Sequence, residues 1–162
     1  QEMSRGLGDV YKRQMYTFWK RTSPPPSMTT FDAPDRETCQ VRRARTNTPL
    51  QALVLMNDVQ FIEAARKFAE RILRSGGESD EQRLVYAFRS IVGRRPSTEE
   101  LEKLLVFQAD YRQQFGQDET AVTQFLSAGE SPRDESLDAS DLAAWSMLAH
   151  LLMNLSETIT KG

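Results

Sequence analysis

Six charged residues that could take part in chemistry lie close together in the first third of the chain: Asp32, Asp35, Arg36, Arg42, Arg43 and Arg45. Paired carboxylates perform general acid–base chemistry when their surroundings push their pKa values apart. Here the nearby guanidinium groups would instead keep both carboxylates ionised. We therefore interpret these six residues, called the arm polar cluster below, as ion pairs and caps that fix an N-terminal arm.

The chain has one cysteine, Cys39, and one histidine, His150. This composition excludes an internal disulfide, a haem-attachment motif and a zinc site of the common Cys/His type within the sequence. We expect no cofactor in this chain, and we interpret His150 as a core or boundary residue rather than a ligand. No catalytic mechanism is indicated, so an enzyme is the less favoured interpretation.

The net charge of -2 is distributed unevenly. Residues 15–74 carry ten Lys or Arg against six Asp or Glu, whereas residues 75–162 carry eight against fifteen. Such a division suits either complementary surfaces within the molecule or a basic face for an anionic partner. The arginines lack the interleaved aromatic residues of a nucleic-acid surface, so we expect no nucleic-acid partner.

Helical periodicity and capping signals predict an all-α fold, an irregular bundle of five or six helices with an extended Pro-rich N-terminal arm. Thr48 before Pro49, and Ser97 before Glu100, are typical helix starts. The predicted helices span residues 48–56, 58–74, 80–92, 98–115, 118–127 and 139–160. The last is apolar on most sides, which places it at the centre of the bundle.

The apolar stripes of these helices predict a buried core: Leu53, Ile62, Ala65, Phe88, Ile91, Leu104, Trp145 and Leu152. Residues 127–138 are rich in Gly, Ser, Pro and acids, so we expect a mobile surface loop there. The apolar run at residues 142–155 is too short and too interrupted to cross a bilayer.

The chain is predicted to have three parts. Residues 1–14 show no periodicity, and LGDVYKRQ resembles translated adaptor sequence, so we expect a non-native or disordered leader that adds nothing to the core. Residues 15–47 form the arm, in which Pro24, Pro25 and Pro26 favour an extended polyproline path. Residues 48–162 form the helical domain.

Residues 16–73, which include FDAPDRETCQVRRARTNTPLQALVLMND, resemble the C-terminal domain of unknown function of large planctomycete secreted proteins. GRRPSTEELEKLL and the closing LAAWSMLAHLLMNLSET extend the resemblance to about residue 157, which makes residues 15–162 one family domain, truncated at its N-terminus. The resemblance implies an exported, envelope or extracellular protein. It also implies a cytochrome-c-like haem domain elsewhere in the full-length relatives, some of which carry a carbohydrate-binding module.

Two functions follow as hypotheses. The first is a non-catalytic helical interaction or structural module, the C-terminal part of a larger exported redox-associated protein, whose partners are the other domains of that protein. The alternative is a fragment of a glycan-acting enzyme, with part of its cleft formed by the arm residues Asp32, Asp35, Arg42, Arg43 and Arg45.

Overall fold

The computed structural model describes residues 24–34, 39, 41–42 and 46–160, with the side chain of Ser27 excepted. In these residues all regular secondary structure is α-helical, which confirms the predicted fold class. The chain divides into two compact units, residues 1–46 and residues 47–162. The predicted leader lies outside the described residues.

Eight helices are found in the described ranges. They are α1 Pro26–Thr30, α2 Pro49–Asn57, α3 Val59–Ser75, α4 Asp80–Val92, α5 Thr98–Gln117, α6 Glu119–Leu126, α7 Ala139–Met153 and α8 Ser156–Ile159.

The first unit contains the short helix α1, where the sequence predicted an extended arm. Pro26 occupies the first helical turn, where a missing N–H costs nothing, and the hydroxyls of Thr29 and Thr30 donate to the Pro26 carbonyl at 2.9 and 2.8 Å. The prediction of a continuous extended path is therefore wrong over residues 26–30. Proline at this position favours a helical turn as readily as a polyproline segment.

In the second unit, helix starts follow the predicted caps. Thr48 forms a capping box with Gln51 at the start of α2, and Ser97 forms one with Glu100 at the start of α5. Each box pairs backbone N–H groups that a helix start leaves without partners. The helix boundaries consequently agree with the prediction to within two residues, except at the C-terminal end.

The predicted last helix ends early, at Met153, and a separate turn, α8, follows. Asn154 leaves the helix, and its N–H still bonds to the carbonyl of His150 at 3.2 Å. The Thr158 hydroxyl donates to the Leu152 carbonyl at 2.9 Å, which pairs an acceptor that the helix end leaves open. One backbone bond and one side-chain bond therefore stabilise the break.

Helix α7 lies at the centre of the bundle, as predicted. It packs against α3, α4, α5, α6 and α8, and its interface with α3 is the largest in the fold. Of the eight residues predicted to be buried, five are buried and two are half-buried: Ala65, Phe88, Leu104, Trp145 and Leu152, then Ile62 and Ile91.

The eighth predicted core residue, Leu53, is 57% exposed, so its predicted burial is wrong. Helix α2 instead turns Gln51 and Leu55 inward. The Gln51 side chain accepts a hydrogen bond from the Thr48 N–H at 3.1 Å, which reduces the cost of burying its amide. Because Leu53 lies about 200° around the helix from Gln51, it faces solvent.

Two arginines each join the ends of different helices. Arg112 on α5 bonds to Asp80 at 2.9 Å and to Asp141 at 2.8 Å, in the first turns of α4 and α7. Arg94 bonds to Glu100 at 2.7 Å and to Glu157 at 2.8 Å. Hydrogen bonds from Arg112 lower the pKa of Asp80, and hydrogen bonds from Arg94 lower the pKa of Glu100 to about 2.

We predict that Arg112→Met lowers the free energy of unfolding by about 0.5–1 kcal/mol at neutral pH, because two partly exposed ion pairs are lost while the alkyl packing is kept. The folded-state pKa of Asp80 is depressed, so its stabilisation is present above the unfolded pKa and is lost as pH falls through the folded one. Urea denaturation should therefore show the difference from wild type shrinking from about pH 5 towards pH 2.

Lys103→Met is the matched control, because it removes an ion pair to Glu99 whose two side chains are mostly exposed. Its effect should be smaller than that of Arg112→Met. A difference between Arg112→Met and wild type that stays constant with pH would contradict the assignment to Asp80.

Candidate functional site

The arm polar cluster is only partly visible in the structure. Asp32 accepts from the Thr46 N–H at 2.7 Å and from the Thr46 hydroxyl at 2.8 Å, and Arg42 is exposed. Asp32 has a φ of 57°, a left-handed conformation that aspartate tolerates. The other four members lie outside the described residues: Asp35, Arg36, Arg43 and Arg45. The cluster as a whole, and the enzyme hypothesis built on it, stay predictions.

His150 has the structural position that the sequence predicted. It is 8% exposed, and its Nε2 lies 2.7 Å from the Leu55 carbonyl oxygen. Because a carbonyl only accepts, Nε2 carries the proton, and this bond joins α7 to α2. Cys39 is exposed. Among the residues the structure describes, no group of three or more His, Cys, Asp or Glu is placed to hold a metal ion.

The most connected polar site was not predicted. Five charged residues follow one another at helical spacing along α3 and contact the loop of residues 127–138; we call them the α3 polar stripe. They are Glu63, Arg66, Lys67, Glu70 and Arg74.

Glu63 binds the start of the loop. Its carboxylate accepts from the backbone N–H groups of Glu130 at 3.1 Å and Ser131 at 3.0 Å, and from the Ser131 hydroxyl. The hydroxyl bond is the main reason why the pKa of Glu63 is lowered, with the two backbone bonds and Arg66 adding to it. The carboxylate therefore stays ionised and binds the loop over a wide pH range.

Arg66 is buried, with 3% of its surface exposed. Its Nη1 donates to the Leu126 carbonyl at 3.0 Å, and its Nη2 donates to the Ser131 carbonyl at 2.6 Å. The Leu126 carbonyl belongs to the C-terminal end of α6, where a positive charge is favourable. One guanidinium thus joins α3, the end of α6 and the loop.

The other end of the loop is bound in the same way. Glu70 accepts from the Asp134 N–H at 3.2 Å, Lys67 donates to the Pro132 carbonyl at 2.7 Å, and Arg74 pairs with the Asp134 carboxylate. A hydrogen bond from the Ser136 hydroxyl lowers the pKa of Asp134. The loop is therefore bonded to α3 from Glu130 to Asp134, and these contacts argue against the mobile loop that its composition predicted.

Composition misled the prediction because the loop's partners lie 60 or more residues away in the sequence. The spacing of the α3 polar stripe is visible in the sequence, but it is equally typical of a solvated helix face. The structure distinguishes a loop-binding face from a solvated one, because it shows that Arg66 and Glu70 are buried.

The loop approaches α3 at a shallow pocket of about 350 Å³. Its lining consists of Arg66, Thr123, Leu126, Ser127, Ser131, Pro132 and Arg133. The Nε of Arg66 is buried and has no hydrogen-bond partner among the described residues. The lining therefore contains two guanidinium groups, three hydroxyls and no carboxylate.

Fold and site together define an all-α domain whose charged residues mostly serve its own architecture. A family model described as PSD1, protein of unknown function (DUF1553), matches residues 2–108, so the chain belongs to this family. Comparisons with curated proteins and with solved structures give no match.

The matched range bears on two sequence predictions. It confirms membership in a family of unknown function, although the resemblance was expected over residues 16–157. It begins at residue 2 and so includes most of the predicted leader, whose origin stays a prediction. In the described part of the chain, no helix has the length and apolarity needed to cross a membrane.

Gly129 lets the loop approach α3. It has a φ of 96°, and a Cβ placed there would lie 2.8 Å from Glu63 Cβ and collide with its carboxylate. Gly93 has a similar φ of 87°, but a Cβ there would meet nothing within 4 Å. Alanine substitutions at these two glycines therefore distinguish the effect of backbone strain from the effect of losing the loop contact.

We predict that Gly93→Ala lowers the free energy of unfolding by about 1–2 kcal/mol, the cost of a left-handed alanine. Gly129→Ala should cost more, because it also displaces the Glu63 carboxylate. Urea denaturation measures both, and trypsin cleavage after Arg133 should accelerate only in Gly129→Ala. Equal losses of stability with equal cleavage rates would show that the loop contact contributes nothing.

Proposed function

We propose that this chain is a non-catalytic interaction module, the C-terminal part of a larger exported redox-associated protein, and that α2 packs against another domain of that protein. The observation that supports this most is an apolar stripe at the surface, called the α2 stripe below. Its members are each at least half exposed: Leu50, Leu53, Met56 and Val59.

The α2 stripe has the composition of an interface core. Leu50, Leu53 and Met56 are spaced three residues apart, so they lie along one side of the helix, and Val59 follows at the start of α3. Helix α2 contains no charged residue. Charged residues are depleted at the centres of protein interfaces, and flexible methionines are common there. Contiguous exposed apolar surface of this kind marks contact sites in soluble proteins.

The orientation of α2 is costly unless the stripe is covered in the longer protein. The helix buries Gln51 and the carbonyl partner of His150 while it leaves two leucines in solvent. When this chain folds alone, the apolar surface of these leucines stays in water, so the stabilisation that its burial would give is not realised. A second domain on the α2 stripe would recover that stabilisation.

The remaining parts of the proposal derive from the sequence resemblance. Following it, we propose that the protein lies outside the cytoplasm, in the envelope or beyond the cell, and that haem is bound by a different domain of the longer protein. In this proposal the present chain binds no cofactor and contributes a contact surface.

The test uses the preceding part of the longer protein, produced as a separate polypeptide, in calorimetric titrations with this chain. We predict that Leu53→Ser combined with Met56→Ser weakens binding at least about tenfold, or 1.4 kcal/mol. Both residues are exposed, so the melting temperature should hardly change.

Val106→Ser is the matched control, because Val106 is 59% exposed on α5 and lies outside the α2 stripe. It should bind as wild type does. Wild-type affinity in the double variant, or an equal loss in the control, would remove α2 from the interface. Failure of the wild-type chain to bind the preceding part would overturn the proposed function.

A further inference from the structure

The pocket beside the α3 polar stripe plays no part in the proposed function and shares no residue with the α2 stripe. We propose that it binds a sugar acid, a small ligand that carries one carboxylate and several hydroxyl groups. The inference depends on which lining groups can donate hydrogen bonds and which can only accept them.

One arginine supplies the donors, and a second adds positive charge. Arg133 is exposed at the pocket and carries five N–H groups. The buried Arg66 already donates to the Leu126 and Ser131 carbonyls, and its Nε is closed to solvent, so it contributes charge rather than a donor that a ligand can reach. A guanidinium fork matches a carboxylate in shape and charge. No acidic side chain lines the pocket, although Glu63 lies nearby with its carboxylate already bound to the loop. The charged end of a ligand is therefore an anion.

The three hydroxyls supply acceptors. The proton of Thr123 is donated to the Glu119 carbonyl at 2.9 Å, and that of Ser127 to the Gln124 carbonyl at 2.8 Å. Ser131 donates its proton to Glu63. Each hydroxyl has a single proton, so the oxygens offer lone pairs to the pocket. These oxygens can accept hydrogen bonds from the hydroxyl groups of a ligand.

Size and apolar surface agree with this class of ligand. A volume of about 350 Å³ holds on the order of ten non-hydrogen atoms, since a water molecule occupies about 30 Å³ in the liquid. The exposed Pro132 offers apolar surface to the C–H groups of a sugar ring. A simple carboxylate would leave the hydroxyl oxygens unused, and a neutral sugar would leave the Arg133 guanidinium unused.

The test is an NMR titration of the whole chain with sodium glucuronate, and with acetate and glucose as half-ligands, at constant ionic strength. Glucuronate should bind with a dissociation constant of about 1 mM or tighter and shift the amide resonances of residues 127–131 and of Arg133. Acetate and glucose should each bind at least about tenfold more weakly.

Variants test which pocket residue binds the carboxylate of the ligand and which binds its hydroxyl groups. Arg133→Met should weaken glucuronate binding at least about tenfold, whereas Arg95→Met, an exposed arginine elsewhere, should not. Thr123→Val should weaken glucuronate but leave acetate unchanged. Both pocket residues are exposed, so the melting temperature verifies that each variant is folded.

Three results would overturn the proposal. The first is the absence of glucuronate binding, and the second is acetate binding as strong as glucuronate binding, which would mean attraction of any anion. The third is unchanged glucuronate binding in Arg133→Met. None of these results affects the α2 interface, so the two proposals fail independently.

Discussion

The buried guanidinium of Arg66 is the interaction on which the C-terminal half of the bundle depends. Burial of a charge is costly, and acceptors reduce the cost; here the carbonyls of Leu126 and Ser131 accept from Nη1 and Nη2. Removal of the side chain would leave the carbonyls of Leu126 and Ser131 without these donors. One group therefore joins the end of α6, the loop and α3, and the other members of the α3 polar stripe add further contacts to the loop.

The charged and the apolar residues of the second unit are used differently. The α3 polar stripe, Arg94 and Arg112 direct their charges at the chain's own backbone, loop and helix ends. Helix α2, which has no charge, leaves leucine and methionine on the surface. In such an arrangement the charged groups stabilise the fold itself and the apolar surface is available for contact. This arrangement suits a module that binds a neighbouring domain, as proposed above.

Local signals in the sequence were sufficient for most helix boundaries, but not for α1, for the break before α8 or for the orientation of α2. Thr48 and Ser97 determine helix starts through atoms three residues away, so a sequence pattern contains the whole interaction. The inward side of α2 depends on Gln51, whose amide is buried because it completes a cap, and hydrophobic periodicity cannot show this. The conformation of the loop depends on hydrogen-bond and ion-pair partners that lie 60 or more residues away in the sequence. No local sequence pattern encodes such pairs.

Amide hydrogen exchange in the 127–138 loop tests most directly whether the α3 polar stripe orders this half of the molecule. The account predicts slow exchange at Ser131 and Asp134, whose N–H groups donate to Glu63 and Glu70, and faster exchange at Ser131 in Glu63→Ala. Exchange at both amides at the rate of an unstructured peptide, unchanged by Glu63→Ala, would contradict it.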